Sequence, residues 1–170
     1  MTVRTLGWGC GGAVAALLMF LGYRLANPWE HFSFRGYEVE RNRLTERVRV
    51  KVGDGWQYAL NNAPYAPTVS EADLARVSLT RIEFGPRGYL CGVATVKGDK
   101  PISGRLAFLI NVAEIESGKR RTIESERALR CNVAFAPGVP NVFVIRTDMT
   151  PPTMQEKYRV QLIPMNAVRE

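Results

Sequence analysis

The sequence has very few of the residues that most catalytic and metal sites use. It contains one histidine, His31, and three cysteines, Cys10, Cys91 and Cys131, with no C-x-x-C pair among them. A Ser/His/Asp or Cys/His nucleophile system would have to use His31, which lies close to an apolar N-terminal segment with no nucleophile motif nearby. A structural zinc site needs four ligands at characteristic spacings, and these are missing. We therefore expect no catalytic residues, no metal site and no cofactor.

Charged residues are absent between Thr5 and Tyr23. At a helical rise of about 1.5 Å per residue this segment is roughly 28 Å long, close to the hydrocarbon thickness of a bilayer. The pattern predicts a single transmembrane signal-anchor helix within residues 1–26. A signal peptide cleaved after Ala26 is the alternative, and we favour it less because Arg24 would then occupy a position that needs a small residue. The expected anchoring side chains are Leu6, Trp8, Val14, Leu17, Leu18, Phe20, Leu21 and Tyr23.

The rest of the chain divides into a juxtamembrane linker, residues 27–46, and a β-rich soluble domain, residues 47–170. At 47–52 basic residues alternate with valines, which is the two-residue period of a half-buried strand, and a Gly-Asp-Gly turn follows. Ser70 predicts the N-cap of one short helix. Short apolar runs separated by glycine and proline turns then continue to the C-terminus; no turn residue separates the runs at 121–129 and 131–135, so these could be one bent strand. The predicted fold is mainly β: an antiparallel β-sandwich or open barrel with one short helix.

Basic residues exceed acidic ones, 23 against 16, for a net charge of +7. Such a balance favours anionic partners. The best-defined group is a cationic stripe, in which the alternation at 47–52 would place the basic side chains on one face and two further arginines lie just upstream. A solvated strand face without a partner is the competing interpretation. Nucleic acid is not an expected partner, because the sequence has no aromatic-plus-basic signature for binding single strands. The stripe consists of Arg41, Arg43, Arg47, Arg49 and Lys51.

Two features of the sequence give opposite predictions for the side of the membrane on which the domain lies. Cys91 and Cys131 both fall in predicted strands and could form a disulfide in an exported domain, although two buried thiols are an equally good interpretation. More basic residues follow the apolar segment than precede it, which favours a cytoplasmic domain. Long downstream domains nevertheless translocate largely regardless of such charges. We expect a single-pass protein of a bacterial inner membrane with its C-terminal domain exported, and a cytoplasmic domain is the alternative.

The sequence therefore predicts a membrane-anchored β domain that binds a protein partner as an assembly or accessory subunit of a membrane or envelope complex. The bilayer is one expected partner, and anionic lipid headgroups are another through the basic residues. The alternative function is a small-ligand carrier or an enzyme whose site is scattered over the β domain.

Overall fold

The computed structural model describes residues 6–61, 65–115, 122–149 and 157–168, with side chains described over 12–23, 25–61, 65–112, 126–149 and 158–168. Within these ranges the chain forms two α-helices, ten β-strands and two single turns of 3-10 helix. In chain order the helices and strands are α1 (Leu6–Ala26), β1 (Trp29–Phe34), β2 (Tyr37–Asn42), β3 (Val48–Val52), β4 (Gly55–Tyr58), α2 (Glu71–Leu74), β5 (Val77–Phe84), β6 (Tyr89–Val96), β7 (Ile102–Ile115), β8 (Thr122–Phe135), β9 (Asn141–Arg146) and β10 (Lys157–Ile163).

The strands form three antiparallel sheets, which confirms the mainly β prediction. The first sheet has the order β1-β2-β3-β4, the middle sheet β5-β6-β9, and the third sheet β10-β7-β8. The predicted short helix is also present as α2, where the Ser70 hydroxyl accepts a hydrogen bond from the Asp73 amide at 3.1 Å. The runs on either side of Arg130 are one strand, β8, because β7 pairs with it without interruption from Ile102 to Ile115.

The middle sheet lies between the other two, so its central strand, β6, is buried on both faces. In β6, Tyr89 and Cys91 pack against valines of the first sheet, whereas Ala94 and Val96 pack against the third sheet. β9 alternates in the same way, with Val144 toward the first sheet. Burial on both faces explains why the sequence of β6 is apolar along nearly its whole length, since neither face has to meet water.

A β-bulge in the middle sheet determines where glycine is needed. Between Thr80 and Glu83 the register of β5 shifts, so that two residues of β5 stand opposite Gly92 alone. A Cβ atom on Gly92 would lie 2.6 Å from both Ile82 Cδ1 and Phe143 Cζ. Glycine is required here because side chains from both neighbouring strands occupy the space that a Cβ atom would fill.

Tyrosines from the two flanking sheets bind the backbone of this bulge. The Tyr37 hydroxyl donates to the Arg81 carbonyl at 2.6 Å, and the Tyr158 hydroxyl donates to the Ile82 carbonyl at 2.8 Å. Burial raises the pKa of Tyr37 to about 12, so its hydroxyl remains a donor across the physiological pH range. The bulge is thus hydrogen-bonded to both the first and the third sheet.

The segment predicted as a juxtamembrane linker, residues 27–46, contains two strands of the first sheet. Most of this segment is the β1–β2 hairpin, which turns at Arg35 and Gly36 and pairs along its full length. Phe32, Phe34 and Tyr37 pack toward the middle sheet. The β domain therefore begins at Trp29, and only two residues separate it from α1.

The helix expected to cross the membrane is not supported. Among the described residues, the structure has no helix with the length and apolar character that a membrane crossing requires.

Candidate functional site

The solvent-facing side of the first sheet, which we call the solvent face, carries an ordered group of aromatic and charged side chains. In β3, Val48 and Val50 are buried, Arg49 is half-buried and Lys51 is exposed, as the alternation in the sequence predicts. Strand register then places Lys51 opposite Trp56. The solvent face consists of Trp29, His31, Glu38, Glu40, Arg49, Lys51, Trp56 and Tyr58.

Two basic residues of the predicted stripe form ion pairs across the sheet. Arg49 Nε donates to the Glu40 carboxylate at 2.6 Å, and Lys51 Nζ lies 2.9 Å from Glu38 Oε2. The hydrogen bond to Glu38 raises the pKa of Lys51. These pairs arise because β2 and β3 align Glu40 directly with Arg49. The solvent face is therefore mixed in charge, because each of these two basic residues has a carboxylate partner.

Arg49 is held in one place by aromatic stacking as well as by its ion pair. Its guanidinium carbon lies 3.8 Å from the ring centroid of Trp29 and 4.8 Å from that of Trp56, which are cation–π distances. The Glu40 side chain beneath it is only 5% exposed and also lies 2.8 Å from His31 Nδ1. A buried carboxylate, a stacked guanidinium and two indole rings therefore form one preorganised unit.

Arg41 and Arg43 belong to a different surface from the rest of the predicted stripe. Both lie near Glu30, at the end of the first sheet that is close to α1. Arg87, in the turn before β6, also pairs with Glu30. The four side chains line a cavity of about 260 Å³. We call this group the arginine cluster. Sequence patterns could not include Arg87, because 57 residues separate it from Glu30.

The predicted anchor residues lie in α1, and those with described side chains are exposed. The exposed fraction is 63% for Leu18 and 54% for Phe20, and Val14, Leu17, Leu21 and Tyr23 are also exposed. These positions lie on every side of the helix. The side chains of Leu6 and Trp8 lie outside the described residues.

The predicted disulfide is absent, because Cys91 and Cys131 are both free, buried thiols. Cys91 packs in the core between the first and middle sheets, whereas Cys131 packs in the core between the middle and third sheets. Burial raises the pKa of each thiol to about 12, so both remain protonated and unreactive in the folded protein. The cysteines therefore provide no argument for an oxidising compartment.

The described residues contain no group of histidine, cysteine and carboxylate side chains that could hold a metal ion. His31 has a carboxylate neighbour in Glu40 but no nucleophile among its described polar contacts. A second and larger groove, of about 460 Å³, runs between β3, β4 and β9. It is lined by Glu46, Arg47, Val48, Tyr58, Ala59, Leu60, Asn61 and Arg146.

No family model, curated protein or solved structure matches the chain.

Proposed function

We propose that this protein is a membrane-attached β domain that binds a protein partner through its solvent face and acts as an accessory or assembly subunit. The observation that carries the proposal is the stacked unit of Trp29, Arg49 and Trp56 above a buried carboxylate. Tryptophan, tyrosine and arginine are the residues enriched among those that contribute most binding energy at protein interfaces. Because Arg49 is already fixed, docking a partner on it costs little side-chain entropy.

Attachment to the membrane is proposed through lipid contact by α1. Its apolar side chains are exposed on all sides of the helix, and α1 makes no extensive contact with any described strand. A helix that is apolar all round is stable when another apolar medium covers it. The proposed medium is lipid. Arg24 ends the apolar stretch and Trp29 follows it, and residues of these types favour the headgroup region.

We further propose that the β domain lies on the exported side of a bacterial inner membrane. Its support is the order of an N-terminal apolar segment followed by a β domain, because long domains translocate largely regardless of flanking charge. A C-terminal alkaline phosphatase fusion would be active if this is correct. If a C-terminal green fluorescent protein fusion is fluorescent and the phosphatase fusion is inactive, the β domain lies on the cytoplasmic side instead.

The partner-binding proposal is tested by site-specific photo-cross-linking in intact cells. A photoreactive residue at Lys51 should yield one discrete adduct with another protein, because Lys51 lies on the solvent face. The same residue at Tyr65, which is 98% exposed and lies outside that face, should not give this adduct. Replacing Trp56 with alanine should remove the Lys51 adduct. No adduct at Lys51, or the same adducts from both positions, would refute the proposal.

A small-ligand carrier is the second candidate, and the groove beside β4 and β9 is the observation that favours it. Its volume of about 460 Å³ falls within the range of small-molecule sites. Its lining is less apolar than that of most such sites, since Glu46, Arg47, Asn61 and Arg146 contribute to it. Saturable binding of a small molecule that is lost in the variant Arg146→Ala would support this candidate.

A further inference from the structure

We propose that the arginine cluster binds the phosphate group of an anionic phospholipid headgroup. This inference rests on the proposed attachment of α1 to lipid, which would place the cluster at the membrane surface. The cavity is lined by three guanidinium groups, Arg41, Arg43 and Arg87, and one carboxylate, Glu30. Glu46 also pairs with Arg41, so the net charge is three minus two, or +1. Guanidinium groups recognise phosphate oxygens by parallel, charge-assisted hydrogen bonds.

The cluster has hydrogen-bond donors that Glu30 does not satisfy. Arg87 binds the Glu30 carboxylate with both terminal nitrogens, at 2.9 and 3.0 Å. By contrast, Arg41 Nη1 and Arg43 Nε are each 3.9 Å from Glu30 Oε2, which is too long for a hydrogen bond. These two nitrogens belong to residues that line the same cavity of about 260 Å³, which is large enough for a phosphate group.

The surrounding structure fixes two of the three guanidinium groups in position, those of Arg41 and Arg87. Arg41 is held by Glu46, whose carboxylate accepts from Arg41 Nε at 2.9 Å. The guanidinium carbon of Arg87 lies 5.1 Å from the ring centroid of Phe32, and the backbone of Arg87 has a φ of 60° in the turn before β6. The cluster is therefore formed without a ligand, and an anion would meet positive charges that are already oriented.

The location of the cluster favours a lipid as the source of the phosphate. Glu30 lies four positions after Ala26, the last residue of α1. The Arg43 amide donates to the Pro28 carbonyl at 2.7 Å, which ties the turn after β2 to the short connection between α1 and β1. A headgroup phosphate near the end of α1 would therefore be within reach of the cluster.

The test uses the full-length protein in detergent and two probes, inorganic phosphate and the soluble phospholipid dihexanoylphosphatidylglycerol. Binding of each probe is followed by isothermal titration calorimetry. Arg43→Gln should weaken binding of the phospholipid by about tenfold, since a hydrogen bond to a charged group is lost. Glu30→Gln should tighten binding, because the competing carboxylate is removed. Arg35→Gln, the same charge change at the far end of the β1–β2 hairpin, should leave binding unchanged.

Three outcomes would overturn this proposal, and a fourth would overturn the proposed function alone. No saturable binding of either probe, or equal weakening by Arg35→Gln and Arg43→Gln, would mean that the cluster is a structural ion-pair network. Inorganic phosphate that binds as tightly as the phospholipid, with no competition from nanodiscs of phosphatidylglycerol, would refute the lipid source. Membrane attachment is measured separately by carbonate extraction, which Arg43→Gln should not alter. If the wild-type protein is extracted from membranes by carbonate but still binds phosphate, the proposed function is refuted and the phosphate site remains.

Discussion

Replacing Glu40 with glutamine should destabilise the protein by about 2 kcal/mol, because hydrogen bonds to charged groups contribute roughly 1.5–3 kcal/mol. The Glu40 side chain is 5% exposed and accepts a hydrogen bond from Arg49 Nε at 2.6 Å. Glutamine preserves the shape but removes the charge and leaves an amide donor next to guanidinium donors. Breaking a fully buried ion pair costs about 3–5 kcal/mol. Because Arg49 keeps 23% exposure, water can solvate it in part, and we expect the smaller figure.

The variant Glu38→Gln provides a matched control on the same strand and the same face. Glu38 also pairs with a basic residue of β3, Lys51 at 2.9 Å, but its side chain is 56% exposed. Exposed ion pairs contribute about 0–1 kcal/mol, so this variant should be close to wild type. The two substitutions remove the same charge and differ in burial.

The measurement is urea unfolding of the full-length protein in detergent, followed by tryptophan fluorescence. Glu40→Gln should lower the midpoint at an unchanged slope, which identifies a change in stability and not in the surface exposed. Equal midpoints for Glu40→Gln and Glu38→Gln would refute the reasoning, since burial would then add nothing to the pair. A large fall for both variants would instead mean that the solvent face is covered in the folded protein.

Three further predictions concern the core and the helix. Gly92→Ala should lower the free energy of unfolding by about 1–3 kcal/mol through overpacking. Gly55→Ala should have little effect, because the nearest atom to its new Cβ is 3.7 Å away. Urea unfolding compares the two variants. Cys91 and Cys131 should not react with a thiol reagent at neutral pH until the protein is unfolded, because burial raises their pKa values to about 12, and both should then react without prior reduction. Leu18→Arg should release the protein from carbonate-washed membranes, and retention like that of the wild type would contradict lipid contact by α1.

Local periodicity was enough to predict most strands. Residues 47–52 alternate between basic residues and valine, and the structure places the valines toward the core. β6 is one of the short apolar runs that turn residues delimit in the sequence. The hairpin at residues 29–42 was missed, although Phe32 and Phe34 alternate with polar residues and Arg35-Gly36 could form its turn. The segment was predicted to be a juxtamembrane linker because it directly follows the apolar stretch, although it also carries this period-2 signal.

The candidate sites were harder to predict, because they depend on strand register and on distant contacts. That Arg49 and Lys51 share a face follows from their spacing alone. That each meets a glutamate depends on the alignment of β2 with β3, which no local pattern specifies. The arginine cluster needs a contact between Arg87 and Glu30, which are 57 residues apart in the sequence. The disulfide between Cys91 and Cys131 does not form because the two cysteines lie in different sheets, which their spacing in the sequence does not reveal.

The short connection between α1 and β1 limits where a protein partner could bind. β1 has six residues, so at about 3.3 Å per residue the first sheet is roughly 20 Å long. With only Asn27 and Pro28 between α1 and β1, lipid contact by α1 would keep the whole solvent face near the membrane surface. Binding of a headgroup by the arginine cluster would further restrict the orientation of the first sheet. Its partner is then expected to be a protein that is itself at the membrane, and adducts formed from Lys51 should be recovered in the membrane fraction.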